Sequence, residues 1–389
     1  MNLVPEISES REEIAAIRRD IHAHPELAFH ENRTSDLVAD RLEAWGVEVH
    51  RGIARTGIVG VVRAGKSDRA IGLRADMDAL PMGEANTFEH RSRHEGCMHA
   101  CGHDGHTAML LGAAQHLARH RNFDGTVYFI FQPAEEHDGG GKAMVEEGLF
   151  ERFPMESVYG MHNWPGLPVG SFAVMPGPMM ACSDQLEILI TGHGAHAAMP
   201  HNGIDPIVVG SALIQSLQTL VSRNIHPVDA AVLTITQFHA GDAWNVIPDT
   251  ALLRGTVRAF KPELQDKMES GIQRICAGVA AAYGAKIEAR YERGYPPTVN
   301  WPKETEVAAT VLEQMVGKQN VHRDLMPTMG AEDFAFMLEK KPGCYIWAGN
   351  GPGEGGCMLH NPHYDFNDAL IPVGSSYWVR LVEHILRPT

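Results

Sequence analysis

Two short apolar runs, Ala70–Ala75 and Thr126–Phe131, enclose a helical stretch over Thr107–Arg119, and this strand-helix-strand order does most to narrow the folds open to the chain. Parallel neighbours need a long crossover, so the pattern predicts an α/β domain with a mostly parallel central sheet flanked by helices. Ile58–Val62 adds an earlier strand and Tyr345–Ala348 a late one. Helices are expected from Arg11 to His22, from Thr34 or Ser35 to Gly46, and over Glu304–Met315, Ala331–Glu339 and Gly374–Leu386. Sheets of this kind place their chemistry beyond the carboxyl ends of the strands.

From residue 183 the rhythm changes. Leu186–Ile190 reads as a strand, and a helix runs from Pro206 to about Val221. Strands follow at Ala231–Phe238 and Ala251–Ala259, then a helix over Pro262–Tyr283 and a last strand, Lys286–Arg290. The order β-α-β-β-α-β is ferredoxin-like, and a segment of that size can close its own core. The expected organisation is a catalytic domain of residues 1–182 and 294–389, interrupted by an α+β domain of residues 183–293. With 389 residues, 44% hydrophobic and 21% charged, the chain is neither disordered nor of low complexity. Its formal charge of −15 argues against nucleic acid or an anionic membrane as partner. Neither a basic-then-apolar leader nor a membrane-length apolar stretch is present, so a cytoplasmic location is expected.

Six cysteines at this length are too sparse for a disulfide scaffold, which leaves each one a packing residue, a ligand or a nucleophile. The chain has 22 histidines, and the densest signal is Met98-His99-Ala100-Cys101-Gly102-His103-Asp104-Gly105-His106, just ahead of a helix. Thiolate sulfur and imidazole nitrogen suit zinc-like ions, so Cys101 and His103 are candidate ligands, with Asp104 or Asp76 placed to orient one of them. A structural zinc knuckle would need a second Cys-x-x-Cys pair, and none follows. Gln132-Pro133-Ala134-Glu135-Glu136 ends an apolar strand. Adjacent residues there face opposite ways, so one carboxylate can bind metal while the other acts as a base. Such a pair more often lies on a solvated loop, and a lone histidine after a strand more often packs than ligates. The count changes that balance. Two ions with three protein ligands each, one ligand shared, need five residues, and Cys101, His103, Glu136, His162 and His360 are five, His360 following a glycine-rich approach over 349–356. His137–Lys142 lacks the first glycine of a phosphate loop, no Gly-x-Ser-x-Gly elbow occurs, and Arg91–His94 is too short for a nucleic-acid face.

Several ordered motifs carry a resemblance that runs nearly end to end: Arg19–Leu27, Leu73–Pro81, Cys101–His106, Gln132–Glu136, Gly194–His201, Met329–Phe334 and Leu359–Pro362. Together they resemble the aminoacylase and hippurate hydrolase branch of the dinuclear metallopeptidases related to carboxypeptidase G. The resemblance implies a zinc-peptidase-like catalytic domain with an inserted lid and dimerisation domain. It implies two divalent metal ions per subunit: one on Cys101, His103 and His162, the other on Cys101, Glu136 and His360, with Cys101 bridging and Glu135 as general base. Arg74 stands where the broader family has a metal-binding histidine and is not carried over as a ligand. His196 matches a residue that stabilises the oxyanion, in the active site of the other subunit of a homodimer. Asn245 and Arg258 match positions that hold the substrate carboxylate. The implied activity is hydrolysis of N-acyl-L-amino acids, with a di- or carboxypeptidase on unblocked peptides and a silent metal-binding protein as alternatives. Manganese or zinc is the implied metal, and thiolate and imidazole also suit cobalt or nickel. The preferred acyl group is not readable from the sequence.

Overall fold

The computed structural model describes residues 1–352 and 357–388, so positions 353–356 of the glycine-rich approach lie outside the described residues. The chain divides into two compact units, one formed by Met1–Gly177, Val299–Met326 and the chain from Asp333 onward, the other by Pro178–Thr298 and Pro327–Glu332.

The first unit is built on an eight-stranded sheet in the order Glu48–Ile53, Gly57–Ala64, Gly125–Gln132, Ala70–Asp76, Ser157–Pro165, Gly343–Gly351, Phe172–Ala173, Val321–His322. Ala70–Asp76 runs parallel to both Gly125–Gln132 and Ser157–Pro165, and Gly343–Gly351 continues the parallel set. The first two strands form an antiparallel edge hairpin. Every residue of Ala70–Asp76 and Gly125–Gln132 is buried, as expected of strands covered on both faces. The crossover helix spans His103–His120 and packs against Ala70–Asp76 and the helices Arg11–Ala23 and Ile371–Ile385. It is apolar nearly all round, with Met109, Leu110, Leu111 and Leu117 buried, each such side chain stabilising the fold by roughly 1.5–3 kcal/mol.

The second unit is a four-stranded antiparallel sheet, ordered Ala231–His239, Thr250–Ala259, Ser183–Thr191, Lys286–Tyr295, with helices Pro206–Thr219 and Pro262–Tyr283. That is the ferredoxin-like strand order. Leu186, Ile188 and Ile190 alternate inward and pack with Val209, Leu213, Met268 and Ile272. Asp205 caps the first helix, its carboxylate accepting from Ile207 N at 2.8 Å.

Three sequence expectations shift. The unit boundaries fall at 177/178 and 298/299 rather than 182/183 and 293/294. Residues 327–332, expected in the catalytic part, belong to the second unit, where Thr328 N and Ala181 N bond Met179 O and Gly330 O. The helix expected over Ala331–Glu339 begins only at Ala335, because the Asp333 carboxylate is held by Arg74, Gln132 and the Gly141 amide. No helix among the described residues is long and apolar enough to cross a membrane.

Candidate metal centre

The predicted ligands gather beyond the carboxyl ends of the parallel strands. Asp76 and Gln132 are the last residues of their strands, and His162 lies within Ser157–Pro165 rather than after it. Gly102, at φ +94°, turns the chain so that Cys101 and His103 flank the start of the crossover helix. A Cβ there would stand 2.2 Å from Asn163 Nδ2 and 2.5 Å from Tyr364 Oη, so only glycine fits. Glu135 and Glu136 follow a turn at Ala134, φ +55°, and are not on a strand at all, so the face argument of the sequence gives way to a turn. His360 is brought in by its own amide, which donates to Ala100 O at 2.8 Å.

Cys101 Sγ lies 3.3 Å from His162 Nε2, and Glu136 Oε1 lies 3.3 Å from His360 Nε2 and 3.8 Å from His103 Nε2. Cys101, His103 and His162 form one group, and Cys101, Glu136 and His360 another, each with ligand atoms within 4.8 Å of one another. The tautomers are set from behind. His103 Nδ1 donates to Asp78 O at 2.9 Å and His162 Nδ1 to Asn163 O at 2.7 Å, which turns both Nε2 atoms toward the centre. His103 Nε2 and Glu136 Oε1 are buried with no hydrogen-bond partner, as ligand atoms facing a cation would be.

Electrostatics agree. Burial pushes the Cys101 thiol well above its ordinary pKa, and Glu136 and Glu135 push it further. Burial pushes His103 down, but Asp76 and Asp78 overcome it and hold the imidazole up to about 10, so in the metal-free protein the ring is protonated and a binding cation must displace its Nε2 proton. Burial, with His106 beside it, keeps His162 well below the imidazole range. A neutral imidazole, a carboxylate and a thiol that ionises only against added positive charge form a donor set for divalent ions.

Four supporting residues were not found by sequence reasoning. The Asp78 carboxylate accepts the Glu135 and Glu136 amides, each at 3.0 Å, and lies 3.2 Å from His103 Nδ1. Asp76 takes His106 Nδ1 at 2.6 Å, His106 Nε2 accepts the Asn163 amide, and Asn163 Nδ2 reaches Cys101 O. Glu31 accepts the Ala134 amide. The alternation of acids in Asp76-Met77-Asp78 was the available signal. Asp104 is a correction: its carboxylate pairs with His22 at 2.8 Å and Arg18 at 3.4 Å, rather than with a ligand. Asp76 bonds His106 rather than a predicted ligand, and its Oδ2 lies 3.8 Å from His103 Nε2. Arg74 is buried against Asp76 and Asp333, which agrees with leaving it out of the ligand set.

In the second unit, His196 and Asn245 line one open pocket of about 1110 Å³ together with Phe238, Asp242, Asp249 and Thr250. His196 pairs with Val246 across a two-residue ladder, and its Nδ1 accepts the Ala198 amide at 3.1 Å, so Nε2 carries the proton and can donate. Arg258 does not join them. It sits eight residues along the strand from Thr250, about 26 Å by strand rise, with its guanidinium on Thr256 Oγ1 and Val257 O.

Comparison with known proteins extends these observations. A family model for peptidase family M20/M25/M40 matches residues 72–384. Hippurate hydrolase of Campylobacter jejuni is 43% identical over 387 residues, covering 100% of both chains. N-acetylcysteine deacetylase of Bacillus subtilis is 40% identical, over 95% of this chain and 96% of that protein. The solved structure of the Bacillus subtilis YXEP protein, a dinuclear metal binding peptidase, superposes with TM-score 0.85 at 35% identity, covering 98% of this chain and 100% of that one.

Proposed function

Because the chain belongs to peptidase family M20/M25/M40, we propose that it is a metal-dependent amidohydrolase that cleaves N-acyl-L-amino acids to a carboxylic acid and a free amino acid, with Glu135 as its acid/base. The observation that carries the reading is a pair of candidate ligand groups sharing Cys101, with a further carboxylate, Glu135 Oε2, 4.0 Å from His103 Nε2; Glu135 could itself ligate beside His103 and Glu136, and the reading assigns it to proton transfer because the two groups are complete without it. A purely structural metal site has no use for that extra carboxylate.

Two divalent ions would be held by Cys101, His103 and His162, and by Cys101, Glu136 and His360. When bound they supply Lewis acidity and acidify water. On softness the thiolate and imidazole donors favour zinc, cobalt or nickel over manganese, while the carboxylate also accommodates manganese; manganese or zinc is the working pair. Glu135 takes the proton of the attacking water and returns it to the leaving amine. His196 donates from Nε2 to the oxyanion as the carbonyl carbon becomes tetrahedral. Asn245 and Arg258 grip the substrate carboxylate, Arg258 through its guanidinium fork. Their separation along one chain supports a homodimer, in which Asn245 and His196 of one subunit serve the site that Arg258 completes in the other. Six cysteines without a disulfide support a cytoplasmic enzyme.

The test is Glu135→Gln in the metal-loaded enzyme. It is expected to bind two ions and lose turnover of N-acetyl and N-benzoyl amino acids by several orders of magnitude. Turnover near the parental rate would remove Glu135 from the mechanism.

A further inference from the structure

Glu31 stands at the start of the helix Asn32–Ala44, where short side chains usually cap the exposed amides, yet its carboxyl makes no cap bond. The side chain is fully buried and reaches elsewhere. Oε2 accepts the Thr56 hydroxyl at 2.6 Å, and Oε1 accepts the amide of Ala134 at 2.9 Å. Ala134 is one of few non-glycine residues here at positive φ, a conformation that costs about 1 kcal/mol or more and persists only when its surroundings impose it. The residue that follows it is Glu135. Three successive amides, of Ala134, Glu135 and Glu136, are thereby tied to two buried carboxylates, Glu31 and Asp78. The carbonyl of Ala134 is fixed as well, accepting from Gly140 N at 2.9 Å.

We propose that Glu31 is a positioning residue for catalysis: by holding the Ala134 amide it imposes the left-handed turn that aims Glu135 at the reacting centre. This rests on the reading of Glu135 as the acid/base. Burial, together with the nearby Asp78 carboxylate, pushes the Glu31 carboxyl up to about 7, so the group spends part of its working range protonated. Its partners are a hydroxyl and an amide, and both can be served by a neutral side chain. Reach, rather than charge, is therefore what the position requires. Glutamine has the same length and keeps an acceptor for Ala134, whereas aspartate keeps the charge but withdraws the oxygens by one methylene.

The experiment compares Glu31→Gln, Glu31→Asp and Glu31→Ala, with Glu135→Gln as reference, in enzyme loaded with manganese or zinc and assayed on an N-acyl amino acid. Displacing a catalytic group by about 1 Å can cost 100-fold, so Glu31→Asp and Glu31→Ala are expected to lose on the order of 100-fold in kcat with KM changed less than about 3-fold. Glu31→Gln is expected to restore most of kcat. Metal content stays at two ions per chain. Amide hydrogen exchange at residues 134–136 in metal-free protein is expected to rise in Glu31→Asp and remain low in Glu31→Gln. If Glu31→Ala does not fold, the aspartate and glutamine variants carry the comparison. Parental kcat in Glu31→Asp, or a fall in Glu31→Gln alone, overturns the proposal. So does a loss shared equally by kcat, KM and metal content, which marks a structural role. An active Glu135→Gln would instead overturn the reading beneath it, while the exchange data would still report whether Glu31 holds the turn.

Discussion

Replacing Asp78 by asparagine changes one atom of side chain and disturbs two amides. The native carboxylate serves Glu135 N with Oδ1 and Glu136 N with Oδ2, both at 3.0 Å, at a site that is 1% exposed. Asparagine has one carbonyl oxygen, so one of those amides faces an NH₂ group and goes unpaired. An orphaned buried N–H costs about 1–3 kcal/mol, and losing the charge on the surviving bond adds about 1 more, so the expected loss is about 2–4 kcal/mol. That is a large share of a typical total stability of about 5–15 kcal/mol. His103 keeps its bond to the Asp78 carbonyl, so its tautomer survives. The Glu135-Glu136 turn loosens instead, and metal affinity falls about 10- to 100-fold, as is usual when a ligand's support is removed. Urea unfolding gives the stability, and titration calorimetry with zinc or manganese gives the affinity. A variant within about 0.5 kcal/mol of the parent, with unchanged affinity and kcat, would refute the reasoning, because surface-like tolerance is incompatible with a buried two-amide acceptor.

Other perturbations test separate parts of the structure. Gly102→Ala puts a Cβ against Asn163 and Tyr364 at φ +94°, and is expected to lose more than about 3 kcal/mol, read as a large fall in Tm or soluble yield. Cys101→Ala removes the ligand shared by both groups and is expected to reduce the bound metal below two ions per chain, measured by elemental analysis. His22 pairs with Asp104; burial opposes its charge but Asp104 raises it to about 9, while His22 and Arg18 hold Asp104 below its ordinary value despite burial. The His22 contribution is complete below about pH 6.5 and is lost as pH rises through 9, whereas that of Asp104 is present above about pH 3.8 and lost on acidification. His22→Gln should therefore flatten the decline in stability between pH 6.5 and 9 measured by chemical unfolding. Mixing the Glu135→Gln and His196→Ala proteins under conditions that allow subunit exchange should restore about a quarter of parental activity if the protein is the proposed homodimer with His196 acting across subunits, and none if His196 acts within its own subunit.

The alternation of strands and helices was legible because each element carries its own period. Runs such as Ala70–Asp76 and Gly125–Gln132 are buried throughout and mostly apolar, and the inward set of Ser183–Thr191 alternates. The candidate ligands were legible because metal chemistry restricts residue type, and their motifs are compact. What escaped is what only tertiary contact creates. Glu31 and Ala134 are 103 residues apart, and nothing at either position reveals their bond. Asp104 adjoins His103 in sequence, but on a helix consecutive residues diverge, which sends its carboxylate to His22 and Arg18. The start of the last short helix moved from Ala331 to Ala335 because ion pairing of Asp333 with Arg74 outweighs local helix propensity. Arg258 and Asn245 belong to one motif set yet not to one cavity, a separation that spacing along the sequence does not encode.

The most direct test of the central claim is product release, followed by mass spectrometry, from matched N-acetyl and N-benzoyl amino acids and free dipeptides, with enzyme carrying two manganese or zinc ions. The account predicts amide cleavage of the N-acyl compounds that disappears on chelation and in Glu135→Gln. Cleavage confined to free dipeptides, or cleavage of N-acyl compounds that survives metal removal, would contradict it.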